Sequence, residues 1–189
     1  SSGPNATLLP ESLVDSARGA KVFWDTFGDD LVASPEDFYF VRSPLRRCAQ
    51  TADAYTRALA GFGAVDLPVV AVDPGLLEID HAFWHGQTVE EIPVGPERDA
   101  AEAYRAGDFF AAPRDGESCV DVLERAAAWL AAVERPGKVV VVFGHGTFQN
   151  AAEVVLRSLG SERVPAEVFT RKHGTSHLRR GYPHILYPQ

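Results

Sequence analysis

Three side chains of kinds that bind anions or move protons follow strand-like segments: Arg47, Glu78 and His145. His145 lies between two glycines, directly after the apolar run at 138–143, and a predicted helix follows it. Glycine lets a ligand approach the backbone closely, and the first N–H groups of a helix attract anions. An imidazole there can donate to a phosphoryl oxygen, which makes His145 and Gly146 candidate anion-binding residues. The alternative is a strand-end histidine satisfied by local hydrogen bonds.

Arg47 is predicted to lie about one turn into a helix that follows another strand-like run, in a positive cluster with Arg42 and Arg46. A guanidinium group aimed at the ends of the strands can bind a phosphate through two hydrogen bonds. The alternative is a solvated helix face, which we expect for one of Arg46 and Arg47.

Glu78 stands between Leu77 and Ile79, after a short turn that contains Pro74 and Gly75. An apolar setting favours the protonated form of a carboxyl group, which suits a general acid. An ordinary loop glutamate is the alternative. Together with the candidate anion-binding residues, this carboxyl group indicates a site for a phosphorylated small molecule.

The elements that must place these residues alternate between helix and strand. Apolar periodicity and β-branched runs predict them. The predicted helices are 13–31, 45–60, 97–107, 118–133 and 148–159, and the predicted strands are 38–41, 69–72 and 138–143, with shorter pieces at 168–170 and 185–187. This alternation predicts a three-layer α/β/α sandwich with a mostly parallel central sheet, whose ligand sites form at the carboxyl ends of the strands.

Two local patterns make finer predictions. The continuous β-branched run at 138–143 is typical of a strand that is buried on both faces. Ser118, followed by Asp121 three residues later, resembles a capping box at the start of a helix.

The composition fits one domain over residues 1–189, since 46% of the residues are hydrophobic. A net charge of −8 argues against nucleic acid as a partner, although an acidic surface can still hold a locally positive anion site. No apolar run reaches the roughly 18–20 residues of a membrane span, and no signal segment opens the chain. We therefore expect a cytoplasmic protein with no membrane partner.

The two cysteines, Cys48 and Cys119, have no spacing typical of a metal site. We expect two buried free thiols, because free cysteine is among the most buried residue types. The sequence predicts neither a metal ion nor a cofactor.

The order of several short motifs resembles one known family. Residues 43–52, SPLRRCAQTA, are similar to the Ser-Pro-Leu-x-Arg-Ala-x-Gln-Thr-Ala signature of the histidine phosphatase superfamily, which has the phosphoglycerate-mutase-like fold. Segments 77–88, 113–118 and 141–146 resemble further motifs of that family, in family order and at plausible spacing. The resemblance runs from about residue 8 to residue 160.

The resemblance implies a role for each candidate residue. Arg47 would bind the phosphoryl group, Glu78 would be the proton donor and later the base, and His145 would be the second histidine of the pocket. In the family a different histidine attacks phosphorus and forms phosphohistidine, without a metal ion. The implied ligand is a small phosphorylated substrate or inorganic phosphate.

The attacking histidine of the family belongs to an Arg-His-Gly motif at the end of its first strand, but here no histidine precedes His81. Residues before Ser1 can supply it. A permuted chain can supply His173 instead, from the segment Arg171-Lys172-His173-Gly174. In a third explanation, the protein is a pseudo-phosphatase that binds its ligand without turnover.

The function implied by the resemblance is a phosphomonoester hydrolase that acts through phosphohistidine. The alternatives are a phosphomutase and a non-catalytic binder of a phosphorylated ligand or protein partner. An unrelated hydrolase with His145 as base is disfavoured, because the chain has no Gly-x-Ser-x-Gly elbow. His81 and His85 are either residues at the mouth of the pocket or ordinary loop residues. A homodimer is possible as the oligomeric state.

Overall fold

Helices and strands alternate along the residues that the computed structural model describes, which are residues 7, 10–133 and 138–158. The helices are α1 (Pro10–Ala33), α2 (Arg46–Phe62), α3 (Pro96–Ala106), α4 (Cys119–Val133) and α5 (Gly146–Ser158), and the strands are β1 (Phe38–Arg42), β2 (Ala71–Val72) and β3 (Val139–Phe143). Each predicted element in these ranges is confirmed, with small shifts at its ends. The predicted strands at 168–170 and 185–187 lie outside the described residues.

The described strands form one parallel sheet in the order β2-β1-β3. Val41 pairs with Ala71 on one side and with Val142 on the other. Two bonds continue beyond the paired residues: Ser43 N donates to Phe143 O at 3.0 Å, and the amide of Asp73, just after β2, donates to β1. The carboxyl ends of all three strands therefore lie side by side.

Helices cover both faces of this sheet. Alternate side chains of β1 point to opposite faces, so that Phe40 packs with α1 and α2 while Val41 packs with α4 and α5. On the first face, Phe23 of α1 lies edge-on to Phe40 at 6.2 Å between ring centroids. On the second face, Trp129 of α4 lies edge-on to Phe148 of α5 at 5.7 Å. The predicted three-layer sandwich is confirmed.

β3 is less buried than its sequence predicts. Phe143 is its one buried residue, and Val142 is 40% exposed. Val140 and Val141 pack on opposite faces of the sheet, so helices do contact both sides of the strand. In the described part of the chain, however, β3 pairs with β1 alone and forms the edge of the sheet. The prediction of a strand buried on both faces is therefore wrong for these residues.

Local capping and cysteine predictions are confirmed. Ser118 Oγ accepts the amide of Asp121 at 3.2 Å, and the Asp121 carboxylate accepts the amide of Ser118 at 2.8 Å, which completes the capping box before α4. Cys48 and Cys119 are free and buried.

None of the described helices combines the length and the apolar character that crossing a bilayer requires.

The start of α4 is held against the loop that follows β2. Glu117 N donates to Asp80 O at 2.8 Å. Gly116 fits closely here, because a Cβ on it would lie 2.5 Å from Asp80 O and 2.4 Å from Pro113 Cγ. A side chain at this position would push the two segments apart.

We predict that Gly116→Ala lowers the free energy of unfolding by about 1–3 kcal/mol, as overpacking usually does. The matched control is Gly61→Ala in α2, where a Cβ would meet no atom within 4 Å. That variant should be up to about 1 kcal/mol more stable than wild type, because alanine favours helix over glycine. Urea denaturation of both variants measures the effect. Equal stability of the wild type and Gly116→Ala would contradict the close packing at Asp80.

Candidate active site

The turns after β1 and β3 bring Arg47 and His145 together, although 98 positions separate them in the sequence. Arg47 Nε donates to His145 Nδ1 at 3.2 Å. His145 Nε2 lies 2.9 Å from Ser43 Oγ, at the end of β1. Gln149 N donates to His145 O at 2.8 Å, so His145 caps the first turn of α5. The structure thus joins two of the residues singled out from the sequence.

These contacts determine the protonation of His145. Arginine carries its protons at all relevant pH values, so Arg47 can only donate, and Nδ1 of His145 must accept. The proton of the neutral imidazole then resides on Nε2 and is donated to Ser43 Oγ. The ring is held at both nitrogens.

The electrostatic surroundings keep His145 neutral. Its side chain is buried, and the residue is 6% exposed. Burial, followed by the positive charges of Arg47 and Arg125, lowers the pKa of His145 from 6.5 to about 4. At neutral pH, the imidazole of His145 is therefore uncharged, and the positive charge near it comes from the arginines.

Cys48 completes the immediate surroundings of His145. Its Sγ lies 3.4 Å from Nε2 of His145, and its thiol donates to Gly144 O at 3.5 Å. Burial raises the pKa of Cys48 to about 11, against the opposing charge of Arg47, so the group is a neutral thiol. Sequence reasoning predicted a buried thiol but missed this contact, because the sequence does not show which helix start faces His145.

Glu78 approaches the site from the loop after β2. It follows a short 3₁₀ helix, is half-buried, and its carboxylate accepts the amide of Ile79 at 3.1 Å. The negative charge of Glu78 acts to raise the pKa of Cys48. Its carboxylate therefore lies within electrostatic range of the thiol that touches His145.

There is open space beside these groups. Gly146 is the first residue of α5, and a Cβ built on it would meet no atom within 4 Å. Helix starts present N–H groups that have no acceptor within the helix. Of the two arginines at the start of α2, Arg46 is exposed and Arg47 is half-buried. Gly146 and part of Arg47 are thus accessible to a small ligand, whereas the ring of His145 lies buried behind them.

The other histidines do not contact His145 in the described structure. His81 is half-buried beside Tyr104, with 5.7 Å between ring centroids, and burial lowers its pKa against the charge of Glu78. His85 is exposed. His173, the alternative attacking residue, lies outside the described residues.

Sequence reasoning also missed Ser43 and Arg125. Ser43 is fully buried against the His145 ring, and the only signal for it was its place in the Ser-Pro-Leu motif. Arg125 belongs to α4, where nothing in the local sequence distinguishes it. In residues 7, 10–133 and 138–158, no group of three His, Cys, Asp or Glu side chains is placed to hold a metal ion.

We predict that the stability difference between wild type and His145→Gln narrows as pH falls from 7.5 to 4.5. The pKa of His145 is lower in the folded protein, so between 6.5 and about 4 the unfolded chain binds more protons. The stability that neutral His145 contributes is complete above pH 6.5 and is lost as pH falls through this window. The change should be about 2–3 kcal/mol, measured by urea denaturation at several pH values. A constant difference would contradict a buried neutral imidazole.

Comparison with solved structures finds phosphatases of the same fold. One is a mycobacterial glucosyl-3-phosphoglycerate phosphatase in complex with vanadate, VO3, at 28% identity over 88% of this chain and 75% of that chain, with a TM-score of 0.58. A further solved structure of this fold is mycobacterial hydrolase 1, at 27% identity over 87% of this chain and 73% of that one, with a TM-score of 0.59.

A phosphoserine phosphatase from Entamoeba histolytica in complex with phosphoserine has the same fold. Its TM-score is 0.62 at 18% identity, over 88% of this chain and 73% of that one. None of the curated proteins matches the chain. The family model of the histidine phosphatase superfamily (branch 1) matches residues 24–170. The chain therefore belongs to the histidine phosphatase superfamily, branch 1.

Proposed function

We propose that this protein is a phosphomonoester hydrolase that acts on a small phosphorylated metabolite through a phosphohistidine intermediate. The observation that carries the proposal is the contact between Arg47 and His145, at 3.2 Å, beside the open start of α5. Membership of the family and the similarity to a glucosyl-3-phosphoglycerate phosphatase support it.

Phosphate binding follows from the charges in the site. A phosphoryl dianion beside Arg47 offsets the positive charges that disfavour protonation of His145. The ring can then take up a second proton, and Nδ1 changes from an acceptor of Arg47 to a donor to the phosphoryl oxygen. Arg47, His145 and the amide of Gly146 together hold the three equatorial oxygens as charge develops on them.

Bond cleavage needs a proton donor for the leaving oxygen. Glu78 supplies that proton as the P–O bond breaks, and as a carboxylate it then accepts a proton from the water that attacks phosphohistidine. The attacking histidine is not among the described residues. No described residue is assigned this role, and His173 is the alternative candidate within the sequence.

A second candidate is a non-catalytic binder of a phosphorylated ligand. The observation that favours it is that the described residues place one histidine, His145, at the carboxyl ends of the strands, whereas a phosphohistidine mechanism uses two. Arg47 and His145 would bind phosphate in the same way in such a protein. Activity without a metal ion, a cytoplasmic location and a homodimer remain predictions from the sequence.

We predict that Arg47→Ala reduces kcat/KM of the full-length protein for an aryl phosphate by about 10²–10³-fold, because a charged donor to the phosphoryl group is lost. Arg46→Ala is the matched control: it removes the neighbouring but exposed arginine and should change kcat/KM less than about threefold. The assay is run with and without a chelator. Equal activity of Arg47→Ala and wild type would contradict the proposed binding site.

We predict that rapid quenching of the full-length protein during turnover traps a phosphoenzyme that is labile in acid and stable in base. His173→Gln distinguishes the two sources of the attacking histidine, since it removes the label only if His173 is that residue. A protein that forms no phosphoenzyme, but whose melting temperature rises with added phosphate, would be the non-catalytic binder.

A further inference from the structure

Arg125 of α4 makes four hydrogen bonds, two to Glu117 and two to the loop containing Glu78. Its Nε and Nη2 donate to the two carboxylate oxygens of Glu117, each at 2.9 Å. Its Nη1 donates to Gly75 O at 2.9 Å and to Leu77 O at 2.8 Å. The side chain is 22% exposed, so these bonds are partly shielded from water. Arg125 thus binds the backbone on the N-terminal side of Glu78.

Glu117 holds the same loop on the other side of Glu78. Its carboxylate accepts the amide of Asp80 at 3.0 Å, and its own amide donates to Asp80 O at 2.8 Å. The loop is therefore fixed at Gly75, Leu77 and Asp80, and Glu78 lies between the last two. We name Arg125 and Glu117 the loop clamp.

The geometry of the loop clamp needs a guanidinium group. Arg125 uses four of its five N–H groups, in a plane that joins a carboxylate on one edge to two carbonyl groups on another. A lysine ammonium carries the same charge but not the flat fork, so it cannot make both sets of contacts in one geometry. Arg125 also lies over the ring of Phe148 of α5, with its Cζ 5.6 Å from the ring centroid.

Besides the loop clamp, this segment is held by its own 3₁₀ turn and by the burial of Leu76 and Ile79 in the core, and neither bonds the backbone on both sides of Glu78. After β2 the backbone leaves the sheet at Asp73, so residues 74–80 have no ladder of strand bonds. The Glu78 carboxylate bonds to the amide of the next residue, Ile79, so its direction follows the local backbone. A shift at Leu77 or Asp80 is therefore passed directly to Glu78. A misplacement of about 1 Å at a reacting group can cost about 10²-fold in rate.

We propose that Arg125 is a positioning residue for the proton donor: with Glu117 it fixes the loop on both sides of Glu78 and sets the carboxyl group on the leaving oxygen. The inference rests on the proposed function, in which the electron pair of the breaking P–O bond goes to the leaving oxygen and the Glu78 proton joins it there. Arg125 itself touches neither of the reacting groups. Its positive charge also acts on His145, and Arg125→Lys keeps that charge while it removes the fork.

The leaving group separates this role from a general loss of stability. The phenolate of a strongly acidic phenol leaves a phosphate ester without being protonated. The phenolate of phenol itself is a poorer leaving group and needs the proton that Glu78 supplies. A variant with impaired proton donation therefore loses activity only on the ester with the poor leaving group. A protein that is merely less folded loses activity on both substrates equally. The quantity to compare is kcat/KM, because it reports the steps up to transfer of the phosphoryl group.

The experiment uses the full-length protein with phenyl phosphate and 2,4-dinitrophenyl phosphate. We expect Arg125→Gln to reduce kcat/KM by about 10²-fold on phenyl phosphate and by less than about fivefold on the dinitrophenyl ester. Glu78→Gln should give the same pattern, and the double variant should be no worse than Glu78→Gln alone. Arg125→Lys should fold and fall between Arg125→Gln and wild type. Arg18→Gln, which removes an exposed arginine of α1, is the control and should match wild type on both substrates.

Equal losses on the two substrates, or effects of Glu78→Gln and Arg125→Gln that multiply in the double variant, would overturn the positioning role. Either result would leave the phosphatase function standing. A wild type that hydrolyses neither ester would instead overturn the proposed function and, with it, the link to proton donation.

A second readout tests the loop clamp independently of activity. Hydrogen exchange of the amides in residues 75–80 should accelerate by about tenfold or more in Arg125→Lys and stay unchanged in Arg18→Gln. Unchanged exchange in Arg125→Lys would overturn the loop clamp itself.

Discussion

The parallel pairing of β1 with β3 is the interaction on which the rest of the site depends. It sets Arg42 opposite Phe143, and the bond from Ser43 N to Phe143 O extends the ladder into the turn. The two turns therefore leave the sheet together, and the helices after them start side by side. Burial of alternate side chains of β1 on opposite faces sets the register, because a slip of one residue would exchange the faces. The contact between Arg47 and His145 is a consequence of that register.

The surroundings of His145 are positively charged, although the protein as a whole is acidic. The protein carries a net charge of −8, yet Arg47 and Arg125 both act on the buried His145. A neutral imidazole is the form that two nearby cations and a dry environment allow. It accepts from Arg47 and donates to Ser43, so both ring nitrogens are hydrogen-bonded. In the proposed function, a phosphoryl dianion beside Arg47 offsets these positive charges.

The predicted elements were correct where burial decides structure. The apolar periodicity of α1 and the aromatic run of β1 predicted these elements because their apolar side chains fill the two faces of the core. The strand prediction for β3 was right in position but wrong in burial, since composition reports the type of element and not its place in the sheet. In the site, the sequence identified Arg47, Glu78, His145 and Gly146 as candidates, but gave no sign that Arg125 reaches the loop at Glu78.

The sequence by itself determined the alternation of elements, the placing of candidate side chains just beyond strand ends and the resemblance to one family. These depend on residue type and spacing, which the chain carries locally. Tertiary structure alone decided that Cys48 and Ser43 enclose His145, that the imidazole is neutral, and that Arg125 and Glu117 hold the loop around Glu78. The physical reason is that hydrogen-bond partners and desolvation are properties of neighbours in space, and here those neighbours are up to 102 positions apart in the chain.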